Sequence, residues 1–79
     1  MHDISLKHYI REISCLLKNY ARQAKLDADD PNKGNSDYNT GYLMAYHEVI
    51  ATMKNQAPFF DLTQEEINLA DIEPEKDLL

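Results

Sequence analysis

The sequence has little of the residue types that usually mark a special class of small protein. Its 79 residues include one Cys, two Gly, three Pro and no Trp. The single Cys15 cannot form an internal disulfide, so no covalent cross-link supports the fold. So few Gly and Pro residues exclude collagen-like and low-complexity chains. The length excludes a second domain, since domains typically hold about 100–150 residues.

Long hydrophobic runs and a leader-type N-terminus are also lacking. The longest apolar run, residues 41–46, is far shorter than the roughly 20 residues that span a bilayer. Residues 1–8 lack the basic region and the apolar region of a signal peptide. We therefore expect a cytoplasmic protein with no membrane partner.

Positive charge is scarce in the chain as a whole. Eight Lys and Arg residues stand against fourteen Asp and Glu residues, which gives a net charge of −6. This balance disfavours nonspecific binding to nucleic acid or to a membrane surface. With 43% hydrophobic and 28% charged residues, the composition is that of a small helical domain.

Two long helices are predicted from the spacing of apolar residues. A three-and-four repeat without Gly or Pro predicts helix over about residues 3–28, and a second repeat predicts helix over about residues 38–57, which Pro58 ends. Residues 29–37 between them contain Pro31 and Gly34 and are predicted to form a polar loop. The first repeat consists of Leu6, Ile10, Ile13, Leu17, Tyr20 and Ala24.

The C-terminal part predicts a short helix and an acidic tail. Thr63 and Glu66 fit a capping box, which predicts a helix over residues 64–70, and Leu62 with Ile67 fits a hydrophobic staple. Residues 71–79 form the acidic tail, which Pro74 interrupts. The fold class is therefore all-α: a helical hairpin with a short third helix and an acidic tail.

The second helix carries an apolar arc too broad for one partner helix. Domains below 70–80 residues rarely gain more than about 3–5 kcal/mol from their own core. These two points predict a homodimer that forms a four-helix bundle. The interface residues are expected to be Tyr42, Tyr46, Val49, Ile50 and Met53.

An alternative to the dimer stays open. The apolar residues of the C-terminal part could fold back over the hairpin and complete a monomeric three-helix core. Those residues are Phe59, Phe60, Leu62, Ile67, Leu69, Leu78 and Leu79.

Charge is segregated along the chain. Residues 1–26 hold five basic and two acidic side chains, net +3, whereas residues 58–79 hold one basic and seven acidic, net −6. The basic residues share one side of the first helix. This basic stripe is either a docking strip for an acidic partner or for RNA phosphates, or a surface paired with the acidic tail. It consists of Lys7, Arg11, Lys18, Arg22 and Lys25.

Catalytic and metal-binding patterns are not found in the sequence. Aligning Gly34 with the sixth position of a calcium loop puts Pro31 and Lys33 at ligand positions, which fails. No Glu precedes His8 or His47 by three residues, as a di-iron bundle requires. We predict no metal, no cofactor and no catalytic residues. An enzyme would need a site between chains, with His8 or His47 near Cys15 or Glu48.

Two stretches resemble a family of short uncharacterised bacterial helical proteins. They are Tyr38-x-x-Gly41-Tyr42-Leu43-Met44-Ala45-Tyr46-His47-Glu48-Val49-Ile50 and Asp71-Ile72-Glu73-Pro74-Glu75-Lys76-Asp77-Leu78-Leu79. The resemblance covers residues 38–79 and implies a bacterial cytoplasmic protein, but no activity, cofactor or site. Because Gly41 costs a helix about 1 kcal/mol relative to Ala, we expect a close helix–helix approach there.

Together these observations predict a small non-enzymatic protein–protein interaction or regulatory protein. The apolar side of the second helix or the basic stripe would be its working surface. The alternative function is a nucleic-acid-associated regulator that uses basic stripes paired across a dimer, and steep salt dependence would mark it.

Overall fold

Two long antiparallel helices form the frame of the protein. The computed structural model describes the backbone of residues 2–79 and the side chains of residues 5–79. Helix α1 spans His2–Asp29 and helix α2 spans Ser36–Gln56. The described residues contain no strand. The predicted all-α helical hairpin is confirmed, and both helices lie within two residues of their predicted bounds.

A short polar turn closes the hairpin. The backbone N–H of Asn32 donates to Asp30 Oδ1 at 2.8 Å. Asn35 then adopts a left-handed conformation with φ 60°, which Asn tolerates better than most residues. The reversal needs only the residues between Asp29 and Ser36, so the chain turns back at once and α2 packs along α1.

The chain reverses again after α2. Pro58 stands in a 3₁₀ turn over Ala57–Phe60, and Asp61 follows with φ 59°. The N–H of Leu62 donates to the Ala57 carbonyl at 3.0 Å. This second reversal sends residues 61–79, called here the C-terminal segment, back along the hairpin.

The capping box forms, but the helix predicted over residues 64–70 is corrected to a single turn. Thr63 N–H donates to Glu66 Oε1 at 2.9 Å, and Glu66 N–H donates to Thr63 Oγ1 at 3.0 Å. The turn ends because Asn68 takes φ 61°, while the N–H of Leu69 donates to the Gln64 carbonyl at 2.9 Å. These bonds make a Schellman-type stop only one turn after the start.

The third helix lies ten residues later than predicted. Helix α3 spans Pro74–Asp77, with Pro74 at its first position. Proline is well suited to this position because its missing N–H would have no helical partner there. Asp77 Oδ2 accepts a hydrogen bond from the Glu73 N–H at 2.8 Å. Pro74 therefore starts a helical turn instead of interrupting the tail.

The C-terminal segment supplies a large part of the core. Among the side chains that the structure describes, nine apolar ones are buried, and four of these belong to the segment: Ile67, Leu69, Ile72 and Leu78. The others are Ala21, Ala24, Leu43, Ile50 and Ala57. The fold-back expected in the monomeric alternative thus occurs, although Phe59 and Phe60 remain 80% and 70% exposed.

The buried side of α1 is rotated from the predicted one. Leu6 and Tyr20 of the predicted seam are exposed, whereas Ser14 and Lys18 are buried. The cause is the C-terminal segment, which packs beside α2 and covers the polar residues next to the seam. Periodicity treats such polar residues as exposed, so this correction could not come from the pattern.

Gly41 does not mark a close approach between helices. A Cβ added to Gly41 would meet nothing within 4 Å, and its φ is not positive. The expected contact is wrong. We predict that Gly41→Ala raises the free energy of unfolding by about 0.5–1 kcal/mol, because it removes backbone freedom from the unfolded chain. Urea unfolding followed by circular dichroism measures this, and a loss of stability would reveal a contact at Gly41.

Truncation of Ile72 tests whether the C-terminal segment is part of the core. Ile72 is fully buried, so Ile72→Ala should lower the free energy of unfolding by about 2–5 kcal/mol, and the milder Ile72→Val by about 0.5–1.5 kcal/mol. The exposed Phe59 provides the control: Phe59→Ala should change the free energy of unfolding by less than about 0.5 kcal/mol. Equal effects of Ile72→Val and Phe59→Ala in urea unfolding would contradict the structure.

Candidate functional site

All five residues of the basic stripe contact the C-terminal segment. Arg11 donates to the Glu65 carbonyl at 2.8 Å, and Lys25 donates to the Leu79 carbonyl oxygen at 2.7 Å. The remaining contacts are ion pairs: Lys7 with Glu66 at 3.4 Å, Lys18 with Asp71 at 2.8 Å and Arg22 with Asp71 at 3.5 Å. Lys18, Arg22 and Lys25 thus contact the predicted acidic tail, residues 71–79, whereas Lys7 and Arg11 contact the part of the C-terminal segment that precedes it.

Lys18 is the buried member of the stripe. It is 5% exposed, and its ammonium donates to Asp71 Oδ1 at 2.8 Å and to Asn68 Oδ1 at 3.2 Å. A buried charge is tolerated only when it is paired and hydrogen-bonded. The hydrogen bond from Lys18 holds the pKa of the Asp71 carboxyl below its ordinary value, against the opposing effect of desolvation.

A second anchor, at Arg11, lies about two turns earlier in α1. Asn68 Nδ2 donates to the Arg11 carbonyl at 3.2 Å, so Asn68 contacts both Arg11 and Lys18. The backbone hydrogen bond from Thr63 and the ammonium of Lys7 lower the pKa of Glu66. The capping-box turn is therefore docked on α1 by its own polar groups.

The α2 residues predicted at the interface differ in their exposure and form three groups. Tyr42 and Val49 are exposed, and Tyr46 and Met53 are half-buried. Ile50 is completely buried in the core, so its prediction as an interface residue is corrected. At 100° per residue, Ile50 points between α1 and the C-terminal segment, while Val49 points away from both.

One side of the hairpin carries a surface of exposed and half-buried apolar residues from both helices. On α2 it comprises Tyr42, Tyr46 and Val49, and on α1 it comprises Tyr9, Leu16 and Tyr20. The Tyr20 and Tyr46 rings, 6.1 Å apart, join the helices. Because the C-terminal segment contacts the other side of the hairpin, through Lys18 and Lys54, we call this surface the open face.

Sequence reasoning missed the α1 half of the open face. It placed Tyr20 in the apolar repeat of α1, and it assigned neither Tyr9 nor Leu16 to an interface. The available signal was an apolar arc on α1 wider than one antiparallel partner can cover. Because the C-terminal segment covers the opposite side of α1, the apolar residues of α1 that α2 does not cover stay exposed.

Three tyrosines of α2 follow one another along the helix in tilted ring contacts, and two of them, Tyr42 and Tyr46, belong to the open face. The ring centroids of Tyr38 and Tyr42 are 5.9 Å apart, and those of Tyr42 and Tyr46 are 5.3 Å apart. Side-chain hydrogen bonding with Tyr42 and partial burial raise the pKa of the Tyr46 hydroxyl. Tyrosine hydroxyls provide a polar rim for an aromatic surface.

The residues considered for an inter-chain active site lie apart from these features. Cys15, His8 and Glu48 are exposed on the helices, and His47 is half-buried with no hydrogen-bond partner for Nε2. Within the described residues, no group of three or more His, Cys, Asp or Glu side chains could hold a metal ion.

Acidification tests the electrostatic docking of the C-terminal segment. Folding lowers the pKa values of the Asp71 and Glu66 carboxyls below their ordinary values of 3.8 and 4.5. The two ionised carboxylates therefore stabilise the folded state fully at a pH above those ordinary values, and this stabilisation is lost as the pH falls through the lowered pKa values. We expect Asp71→Asn to lower the free energy of unfolding by about 1 kcal/mol at neutral pH. The free energy of unfolding of this variant should also depend less on pH in the acid range than that of the unmodified chain.

The matched control is Glu48→Gln, which removes the same charge from an exposed residue of α2. Urea unfolding of the three proteins at neutral and acid pH measures the effect. If Asp71→Asn and Glu48→Gln lose equal stability on acidification, Asp71 does not anchor the segment.

The described part of the chain has no helix that is both long enough and apolar enough to cross a membrane. In the comparisons with known proteins, the chain matched no family model, no curated protein and no solved structure. The resemblance of residues 38–79 to short bacterial proteins therefore stays a prediction.

Proposed function

We propose that this chain is a non-enzymatic protein–protein interaction protein whose working surface is the open face. The first partner of that surface is a second copy of the chain, with which it forms a homodimeric four-helix bundle. The observation that carries the proposal is the exposure of aromatic and aliphatic side chains from both helices beside the Tyr20–Tyr46 contact.

The size of the open face suits a dimer interface. Tyr9, Leu16, Tyr20, Tyr42 and Val49 are each between 43% and 58% exposed. At about 150–250 Å² for a whole aromatic residue, these five side chains expose on the order of 500 Å² together. A standard interface buries about 800 Å² per partner, of which about 60% is apolar. The open face therefore carries the apolar area that one half of such an interface needs.

The composition of the open face also suits an interface. Tyrosine is enriched in interface cores, while Lys, Glu and Asp are depleted there. Four of the six residues that define the open face are tyrosines, and none of the six is charged. Tyrosine combines a large apolar ring with a hydroxyl that can stay hydrated at the rim.

The basic stripe is the weaker candidate for a working surface. Each of its five side chains already contacts the C-terminal segment. An acidic partner or an RNA would have to displace a segment that also provides four core residues. No observation favours displacement of the C-terminal segment by such a partner, so we propose that the interaction uses the open face.

A charge placed on the open face tests the dimer. In sedimentation analysis at micromolar concentration, we expect twice the chain mass of 9.1 kDa. Val49→Asp should give the mass of one chain, because a buried unpaired carboxylate at the interface costs several kcal/mol. Circular dichroism should show that the variant keeps its helices, since Val49 lies outside the core.

The matched control is Met44→Asp, at a residue 37% exposed and about 140° away from Val49 around α2. This variant should remain dimeric. A single-chain mass for the unmodified protein would refute the dimer, and dissociation by both variants would move the interface away from the open face.

A further inference from the structure

A cleft lies at the closed end of the hairpin, where the end of α1 meets the start of α2. It has a volume of about 300 Å³. Three tyrosine rings and a carboxylate stand in its wall, together with two side-chain amides. The residues are Tyr20, Tyr38, Tyr42, Asp27, Gln23 and Asn39.

We propose that this cleft binds a guanidinium cation, the group carried by an arginine side chain. Aromatic faces attract cations through the ring quadrupole, and a guanidinium can both stack on a ring and hydrogen-bond to a carboxylate. The site requires no second copy of the chain, so it goes beyond the proposed dimer.

The charge around the cleft favours a cation. Residues 27–37 contain four Asp residues and one Lys residue, a local net charge of −3. The nearby Lys25 is already engaged, because its ammonium contacts Asp29 and the Leu79 carbonyl oxygen. A cleft lined by one sign of charge raises the local concentration of the opposite ion.

The hydrogen-bond acceptors favour a guanidinium over a quaternary ammonium. Asn39 Nδ2 donates to the Gly34 carbonyl at 3.0 Å, which leaves Asn39 Oδ1 as an acceptor. Asp27 Oδ1 accepts from Gln23 Nε2 at 3.1 Å, and Oδ2 of the same carboxylate has a free lone pair. A guanidinium presents five N–H donors in one plane, whereas a quaternary ammonium presents none.

The ammonium of Lys33 already pairs with the carboxylate that the guanidinium would bind. Lys33 Nζ lies 3.5 Å from Asp27 Oδ1, and the Lys33 side chain is 53% exposed. Such exposed pairs contribute little to stability. A guanidinium that also stacks on the tyrosines can therefore replace Lys33, and removal of Lys33 should improve binding.

Titration of the full chain followed by NMR tests the site. The probe is Nα-acetyl-L-arginine methylamide, and the ring resonances of Tyr38 and Tyr42 report binding. Asp27→Asn should weaken binding about tenfold, as expected for loss of a hydrogen bond to a charged group. Tyr38→Leu should weaken it about threefold, while Tyr38→Phe retains it, because the ring face provides the attraction.

Two further variants sharpen the test. Lys33→Gln should tighten binding about threefold, since it removes the competing ammonium and leaves Asp27 in place. Glu48→Gln removes the same charge as Asp27→Asn at a distance from the cleft and should leave affinity unchanged. Tyr20 and Tyr42 belong to both the cleft and the open face. The monomeric Val49→Asp variant, whose open face is uncovered, should therefore bind the probe at least as tightly as the unmodified chain, and loss of binding in this variant would overturn the proposal.

Several results would overturn the proposal. They are an absence of shifts in the two tyrosine rings, equal binding by Asp27→Asn and the unmodified chain, or tetramethylammonium binding as tightly as the arginine probe. Free L-arginine distinguishes the source of the ligand. Tighter binding of the blocked probe supports an arginine in a partner polypeptide, and tighter binding of free L-arginine supports the amino acid itself.

Discussion

The contact of Lys18 with Asn68 and Asp71 is the interaction on which the rest of the structure depends. It places a buried ammonium of α1 against two oxygen acceptors of a segment that has little regular secondary structure. Ile67, Leu69 and Ile72 lie on either side of these acceptors and enter the core. Because an unpaired buried ammonium is strongly unfavourable, Lys18 favours the one docking position that satisfies it. Specific polar contacts and apolar burial therefore hold the same segment.

The docked segment gives the hairpin two different sides. On one side, basic residues of α1 and Lys54 of α2 hold the C-terminal segment; Lys54 donates to the Ile72 carbonyl and to Glu73. On the other side, aromatic residues stay exposed and join α1 to α2 through Tyr20 and Tyr46. The first side completes a small core that would otherwise consist of only two helices. The second side is left for association, and the guanidinium cleft lies at its closed end.

The sequence predicted the local secondary structure well, but it did not predict which side of each helix the rest of the chain covers. Helical spacing located α1 and α2, and the capping box of Thr63 and Glu66 forms with both of its hydrogen bonds. Those features depend on neighbours within one turn. By contrast, Ile50 and Val49 are both apolar and adjacent, and only packing decides that Ile50 is buried while Val49 is exposed. Lys18 and Arg22 are likewise both basic, yet one is buried beneath the C-terminal segment and the other is half-exposed.

By itself, the sequence determined the all-α class, the two long helices, the polar turn between them and the opposite charges of its two ends. Periodicity, proline positions and capping residues act over a few residues, so they can be read along the chain. Only the tertiary structure decided that the C-terminal segment pairs with the basic stripe, that Asn68 stops its helix after one turn, and that Asp27 meets three tyrosines in one cleft. These outcomes depend on contacts between residues far apart in the chain, and their energies arise only when the two helices and the segment pack together.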